Sequence, residues 1–118
     1  MVKPEFEWEE EFDNYLDSLS KKDRAKILAR IDLVQKIDLV DSIKKEYVKK
    51  LDDNLYEIRA RTDEHWLRGC YFQIEGTGFY ITHGFNKKQN KTPKKEITKA
   101  KKIRSSVLEI LLRRRGNR

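Results

Sequence analysis

The sequence predicts an α+β fold: an N-terminal antiparallel helical hairpin packed on a small antiparallel sheet, closed by a C-terminal helix. Three observations carry this. Apolar residues recur at helical spacing from Trp8 to Val34, alternate with period two over Leu55–Arg61, run apolar on both faces over Trp66–Ile74 apart from Arg68 and Gln73, and return to helical spacing after Pro93. The gaps between the strand-like segments are too short for a crossover, so neighbouring strands should run antiparallel. With 118 residues, the chain fits one domain, 1–118, that buries roughly 65% of its unfolded surface.

Trp8, Phe12, Tyr15, Leu16 and Leu19 define an amphipathic helix over residues 7–19. Ser20 is placed to cap a second helix, with Asp23 as a short form of the capping-box acid. Ile27, Leu28, Ile31 and Val34 carry its apolar stripe towards Lys36, and the very short connection argues for a hairpin. Residues 38–50 fit either a short helix capped by Asp41 or Ser42, or a partly ordered linker. Asp52, Asp53 and Asn54 then form a turn. In the strand after it, Tyr56, Ile58 and Ala60 share one face, and Glu57, Arg59 and Arg61 the other. Thr62-Asp63-Glu64 is a polar turn, and Trp66–Ile74 reads as a central strand. Glu75-Gly76-Thr77-Gly78 is a hairpin turn leading to a third strand, Phe79–Phe85. Thr92 is placed to cap the last helix, with Pro93 at its first position and Ile97, Ala100, Ile103, Val107, Ile110 and Leu111 as its stripe.

Charged residues make up 40% of the chain, yet five Tyr, five Phe and two Trp supply enough bulk for a core. A single Cys, Cys70, excludes an internal disulfide. With only two His beside it, no zinc site or other cofactor is expected. Neither a membrane span nor a leader is legible, so a soluble, cytoplasmic protein is expected. The net charge of +7 is unevenly spread. Residues 1–20 hold one base against seven acids, and residues 84–118 hold thirteen bases against two acids. That asymmetry predicts a basic face for a polyanion, with the acidic segment turned away from it.

Glu57 and Arg59 are neighbours on one strand face, Arg68 lies on the next strand, and Lys87 and Lys88 follow the third. A meander gathers them to one side or rim of the sheet. One carboxylate among several cations is what metal-free cleavage of an RNA phosphodiester requires: a base for the ribose 2′-OH and cations for the charge developing at phosphorus. Glu57 is the candidate base, with His83 as an alternative acid or base. The same residues also admit plainer readings. Glu57 and Arg59 could be a surface pair, Arg68 a structural partner of Glu57, and His83 a satisfied structural residue. His65 reads as exposed in a polar turn, and Cys70 as core. The expected RNA or ribosome footprint is Lys87, Lys91, Lys94, Lys95, Lys99 and Lys102.

Three segments carry a family resemblance. Lys50-Leu51-Asp52-Asp53-Asn54-Leu55-Tyr56-Glu57-Ile58-Arg59 resembles the K-L-x-x-x-L-[WY]-E-[LI]-R strand of the RelE/ParE toxin superfamily, in its phage-derived, HigB-like branch. Leu67-Arg68-Gly69-Cys70-Tyr71-Phe72 resembles that branch's second strand. His83-Gly84-Phe85-Asn86-Lys87-Lys88-Gln89-Asn90-Lys91-Thr92-Pro93, followed by Glu96, Ile97 and Ala100, is similar to its H-G-F-x-K-K-x-x-K-T-P ending. The resemblance implies a RelE-like fold and a type II toxin that cuts messenger RNA on the ribosome without a metal. The cut leaves a 2′,3′-cyclic phosphate and a 5′-OH. By position it implies functional roles for Glu57, Arg59, Arg68 and Lys88 or Lys87. It also implies a cognate antitoxin with a helix-turn-helix, HigA-like, through which alone operator DNA is bound, and no membrane partner. The Tyr or His that many RelE-type nucleases carry near the C-terminus is absent from the last twenty residues, which puts more weight on His83. A ParE-like DNA gyrase inhibitor without nuclease activity is the alternative.

Overall fold

The computed structural model describes residues 3–88 and 91–116. Gln89 and Asn90 of the third motif, and Arg118 of the basic segment, lie outside the described residues. Strand β1 (Glu5–Trp8) leads into helices α1 (Glu10–Ser18), α2 (Lys21–Lys36) and α3 (Leu39–Lys44). Strands β2 (Val48–Asp52), β3 (Leu55–Arg61), β4 (Trp66–Glu75) and β5 (Gly78–Lys87) follow, then helix α4 (Lys94–Gly116). Among the described residues the sheet has five strands in the order β1-β5-β4-β3-β2. It is α+β as expected but mixed, because β1 pairs parallel with β5 while the other pairs are antiparallel.

The N-terminal helical hairpin does not form. The chain opens with a strand: in Glu5-Phe6-Glu7-Trp8 the two aromatics turn inward and the two acids outward. Trp8 therefore ends β1 instead of starting α1, and its indole N–H donates to Asp13 at 2.9 Å. The two helices lie side by side on one sheet face, α1 over β5 and α2 over β3, instead of packing mainly on each other. Ser20 caps α2 as expected, its hydroxyl accepting from the Asp23 amide. Asp38, one turn before the expected residues, caps α3.

Helix α1 comes close to the sheet because two glycines face it. Gly69 and Gly84 are cross-strand partners in β4 and β5. A β-carbon on Gly69 would sit 3.3 Å from Phe12, and one on Gly84 would overlap the Tyr15 ring. Phe12, Tyr15, Ile27, Ile31 and Val34 fill the core on this face with Ile58, Leu67, Tyr71, Phe79 and Ile81. Helix α4 covers the other face more lightly, where Leu55, Cys70, Phe85 and Ala100 form a second cluster. Beyond Ala100 its stripe is only half-buried at Ile103, Val107 and Leu111, and Ile110 and Leu112 are exposed. No helix is long and apolar enough to cross a membrane among the described residues.

Candidate functional site

On β3 the period-two alternation places Glu57, Arg59 and Arg61 on the face away from α1 and α2. The register sets Arg59 opposite Arg68, and Arg61 opposite Trp66, which in turn pairs with Lys87. Strand β5 runs two residues beyond the expected end at Phe85, so Lys87 belongs to it and joins the Arg59–Arg68 side. Together with Lys26 and Arg30 of α2, these residues line a cleft of about 670 Å³ at the sheet's rim. Six of its lining side chains are cations, against two carboxylates, Glu46 and Asp63. Arg68 and Lys87 are 5% and 6% exposed, so both charges are held largely out of water. Burial pushes both below their ordinary range, and Glu57 opposes the shift in each case.

Glu57 is fully buried and does not line the cleft. Its Oε2 accepts from the Thr92 hydroxyl at 2.8 Å, and its Oε1 lies 3.7 Å from Arg68 Nε and 4.0 Å from Arg59 Nε. These are ion-pair distances, too long for hydrogen bonds. The Arg68 guanidinium is fixed instead by the backbone carbonyls of Leu67 at 2.9 Å and Ala60 at 3.4 Å. A surface pair of Glu57 with Arg59 is therefore excluded. Thr92 spends its hydroxyl on Glu57, and α4 starts at Lys94, with the Pro93 carbonyl accepting from the Glu96 amide.

The other sequence candidates are spread out. His83 shares a cross-strand row with Cys70 and Glu57 but lies buried under α4. Its ring contacts Thr82 Oγ1 at 3.0 Å and Glu96 Oε1 at 3.3 Å, and burial holds it below its ordinary pKa. The structure does not bring it into the cleft. Lys88 is exposed and lines a second groove with Glu64, His65, Trp66, Asn86 and Lys87. Lys91, Lys94, Lys95, Lys99 and Lys102 are exposed. Among the described residues Lys94, Lys95 and Lys102 join no ion pair, whereas Lys99 meets Glu11 at 3.2 Å. The acidic α1 therefore borders the basic helix and is not turned away from it. Burial pushes the Cys70 thiol up, consistent with a core residue.

Sequence reasoning missed two functional candidates. Trp66 stands between the two grooves, half-buried, with the Arg61 guanidinium 5.7 Å from its ring centre. His65, read as merely exposed, has its Nδ1 2.6 Å from Asp23 Oδ2, and Asp23 is buried on α2. No local pattern announces that bond, because its partners are 42 residues apart. Asp23 is thus not the capping-box acid; its other oxygen accepts from Thr62 Oγ1 at 2.8 Å.

Fold and rim together define a small α+β protein that presents a semi-buried cationic cleft with an aromatic at its mouth. The chain belongs to the family described as phage derived protein Gp49-like (DUF891), whose profile matches residues 14–105. A search of curated proteins returns no match.

Proposed function

We propose that this Gp49-like protein is the toxin of a type II toxin–antitoxin pair and a RelE/HigB-like, ribosome-dependent endoribonuclease that cuts messenger RNA without a metal. The observation that carries the reading is the convergence of Arg59, Arg61, Arg68 and Lys87 beside Trp66 in one cleft. Cations held out of water and positioned before the substrate arrives act strongly on a developing phosphorane charge. The scissile phosphate lies among these side chains, a flanking base stacks on Trp66, and the exposed lysines of α4 hold ribosomal RNA. The 2′-OH attacks the adjacent phosphorus, the P–O5′ bond breaks, and the products end in a 2′,3′-cyclic phosphate and a 5′-OH. Glu57 supports the two arginines from beneath. A cognate antitoxin with a helix-turn-helix masks this surface.

The test is growth arrest on expression of the chain alone, together with mapping of messenger RNA ends on purified ribosomes. Arg59→Ala and Arg68→Ala each reduce cutting by about 10²-fold or more, the scale of one transition-state charge partner. Intact RNA on ribosomes at full occupancy refutes the nuclease reading. One observation favours the binding-only alternative, a ParE-like gyrase poison: the expected base, Glu57, has no access to the cleft. That alternative expects inhibition of gyrase supercoiling with RNA left whole.

A further inference from the structure

The geometry points to His65 as the proton acceptor for the ribose 2′-OH, with Asp23 as the residue that positions its ring; this rests on the nuclease reading above. His65 begins beyond β3, in the turn before β4, and that turn is tied down. The Thr62 amide donates to the His65 carbonyl at 2.9 Å, the His65 amide donates to Thr62 Oγ1 at 3.2 Å, and Thr62 Oγ1 donates to Asp23 at 2.8 Å. The second Asp23 oxygen takes the imidazole Nδ1 at 2.6 Å. A carboxylate on Nδ1 fixes the tautomer with the proton on that nitrogen and leaves Nε2 as the acceptor. Among the described residues Nε2 forms no hydrogen bond, and the His65 side chain is 45% exposed. The ring lines the second groove with Trp66, Lys87 and Lys88, and Trp66 and Lys87 also line the main cleft. Lys87 and Trp66 thus join the groove that holds the imidazole to the cleft that holds the cations.

The step balances without a co-reactant. The 2′-OH gives its proton to Nε2 as the 2′-O–P bond forms. The P–O5′ bond breaks, and the leaving oxygen takes a proton from water. The imidazolium then returns its proton to solvent. While it is charged it faces the Asp23 carboxylate. Hydrogen bonds from Thr62 and His65 keep that carboxylate ionised and below its ordinary range, against the opposing effect of burial. The other charged groups around the ring are Glu64, Lys87 and Lys88 along the groove and the pair that joins Lys22 of α2 to Asp63 of the turn.

The experiment is single-turnover cleavage of a ribosome-bound messenger RNA from about pH 5 to 8, the window in which imidazole changes charge. It is run on the wild type, His65→Gln and Asp23→Asn, with ribosome binding measured in parallel. His65→Gln is expected to bind ribosomes as the wild type does, cut about 10²-fold more slowly or worse, and lose the acidic limb of the profile. Asp23→Asn is expected to slow cutting about tenfold or more in the wild type and to add nothing in a His65→Gln background, because it acts through the ring; a purely structural tie slows both alike. His65→Gln cutting within about threefold of wild type, with the limb unchanged, overturns the assignment while leaving the nuclease reading intact. A wild type that leaves RNA whole removes that reading and this one with it. Should His65→Gln fail to fold, the His65 ring nitrogens of the wild type are followed by NMR as a 2′-O-methyl RNA oligonucleotide is added. With the oligonucleotide at a concentration that shifts the Trp66 indole signal, a shift at Nε2 supports the assignment and an unmoved Nε2 overturns it.

Discussion

Glu57→Gln separates a carboxylate that holds the arginines from one that takes a proton. The side chain is fully buried, and its Oε1 faces Arg68 Nε at 3.7 Å and Arg59 Nε at 4.0 Å. At an effective dielectric of about 20, unit charges 3.7 Å apart attract by about 4.5 kcal/mol. Part of that is offset by the cost of burying both charges. What the substitution measures is the penalty for leaving Arg68, itself 5% exposed, without its counter-charge. Removing one partner of a buried pair costs about 3–5 kcal/mol, and the isosteric amide, which still accepts from Thr92, places the expectation near 3 kcal/mol. For a domain of this size that lowers the melting temperature by roughly 10 °C. Urea unfolding at neutral pH reads the difference directly. Cutting by the folded fraction should fall together with the two arginines' loss of order, not through a changed pH profile. A Glu57→Gln variant as stable as the wild type within about 0.5 kcal/mol refutes the anchoring argument, because no buried charge has then been left unpaired.

Four further outcomes are expected. Gly84→Ala drives a β-carbon into the Tyr15 ring and should cost about 2–3 kcal/mol, read by urea unfolding and partly recovered in a Tyr15→Ala background. Asp23 has its pKa lowered from 3.8 by Thr62 and His65, so its contribution is present above the unfolded value and lost as pH falls through the lower folded one. Stability measured from about pH 5 down to pH 2 should therefore fall less steeply in Asp23→Asn than in the wild type. Neutralising Lys94, Lys95, Lys99 and Lys102 together should flatten the dependence of ribosome affinity on salt, and an unchanged log–log slope rules out α4 as the RNA contact. Arg68→Lys keeps the charge but loses the planar fork that reaches both Leu67 and Ala60 carbonyls, so it should fold, bind ribosomes and cut slowly; cutting at the wild-type rate shows that the fork is not needed.

What was legible in the sequence follows from how local the information is. The split of β3 into an apolar and a charged face is written in seven consecutive residues, and the turn at Glu75–Gly78 in two glycines, one of which, Gly76, has φ 56. Strand β1 was hidden because Trp8 also fits the helical stripe and the partner strand lies at the far end of the sheet sequence. Strand β2 was hidden because Lys49 and Lys50 are exposed and a register shift between Lys50 and Asp52 breaks the alternation. The grouping of Glu57, Arg59 and Arg68 needed only strand order. The burial of Glu57 did not follow from it, since the cover is Thr92 at the start of a helix whose docking is non-local. The Asp23–His65 bond was out of reach for the same reason: a polar turn and a helix N-terminus carry no mark that they meet.

The cleft lies at the end of the sheet where β3 outruns its neighbour. The last paired residues are Val48 and Ile58, and beyond the Arg59 amide, which donates to the Tyr47 carbonyl, no strand among the described residues continues on that side. Arg30 from α2 donates to the Arg59 carbonyl at 2.8 Å and closes part of the open edge. An uncovered edge invites pairing with another sheet, and charged side chains discourage it. That need alone accounts for Arg30, Arg59 and Arg61. It does not account for Arg68, which β3 and β5 flank, nor for the depth of Lys87, which pairs with β4 alone because β1 stops at Ile81; both are more than nine-tenths buried. Edge protection asks for solvated charge, whereas these two cations are held largely out of water with one buried carboxylate within ion-pair reach of Arg68. Desolvation of that kind works against folding. Their desolvation calls for positive charge at that point beyond holding the sheet apart from its neighbours, and under the proposed function an arriving phosphate is the group that offsets it.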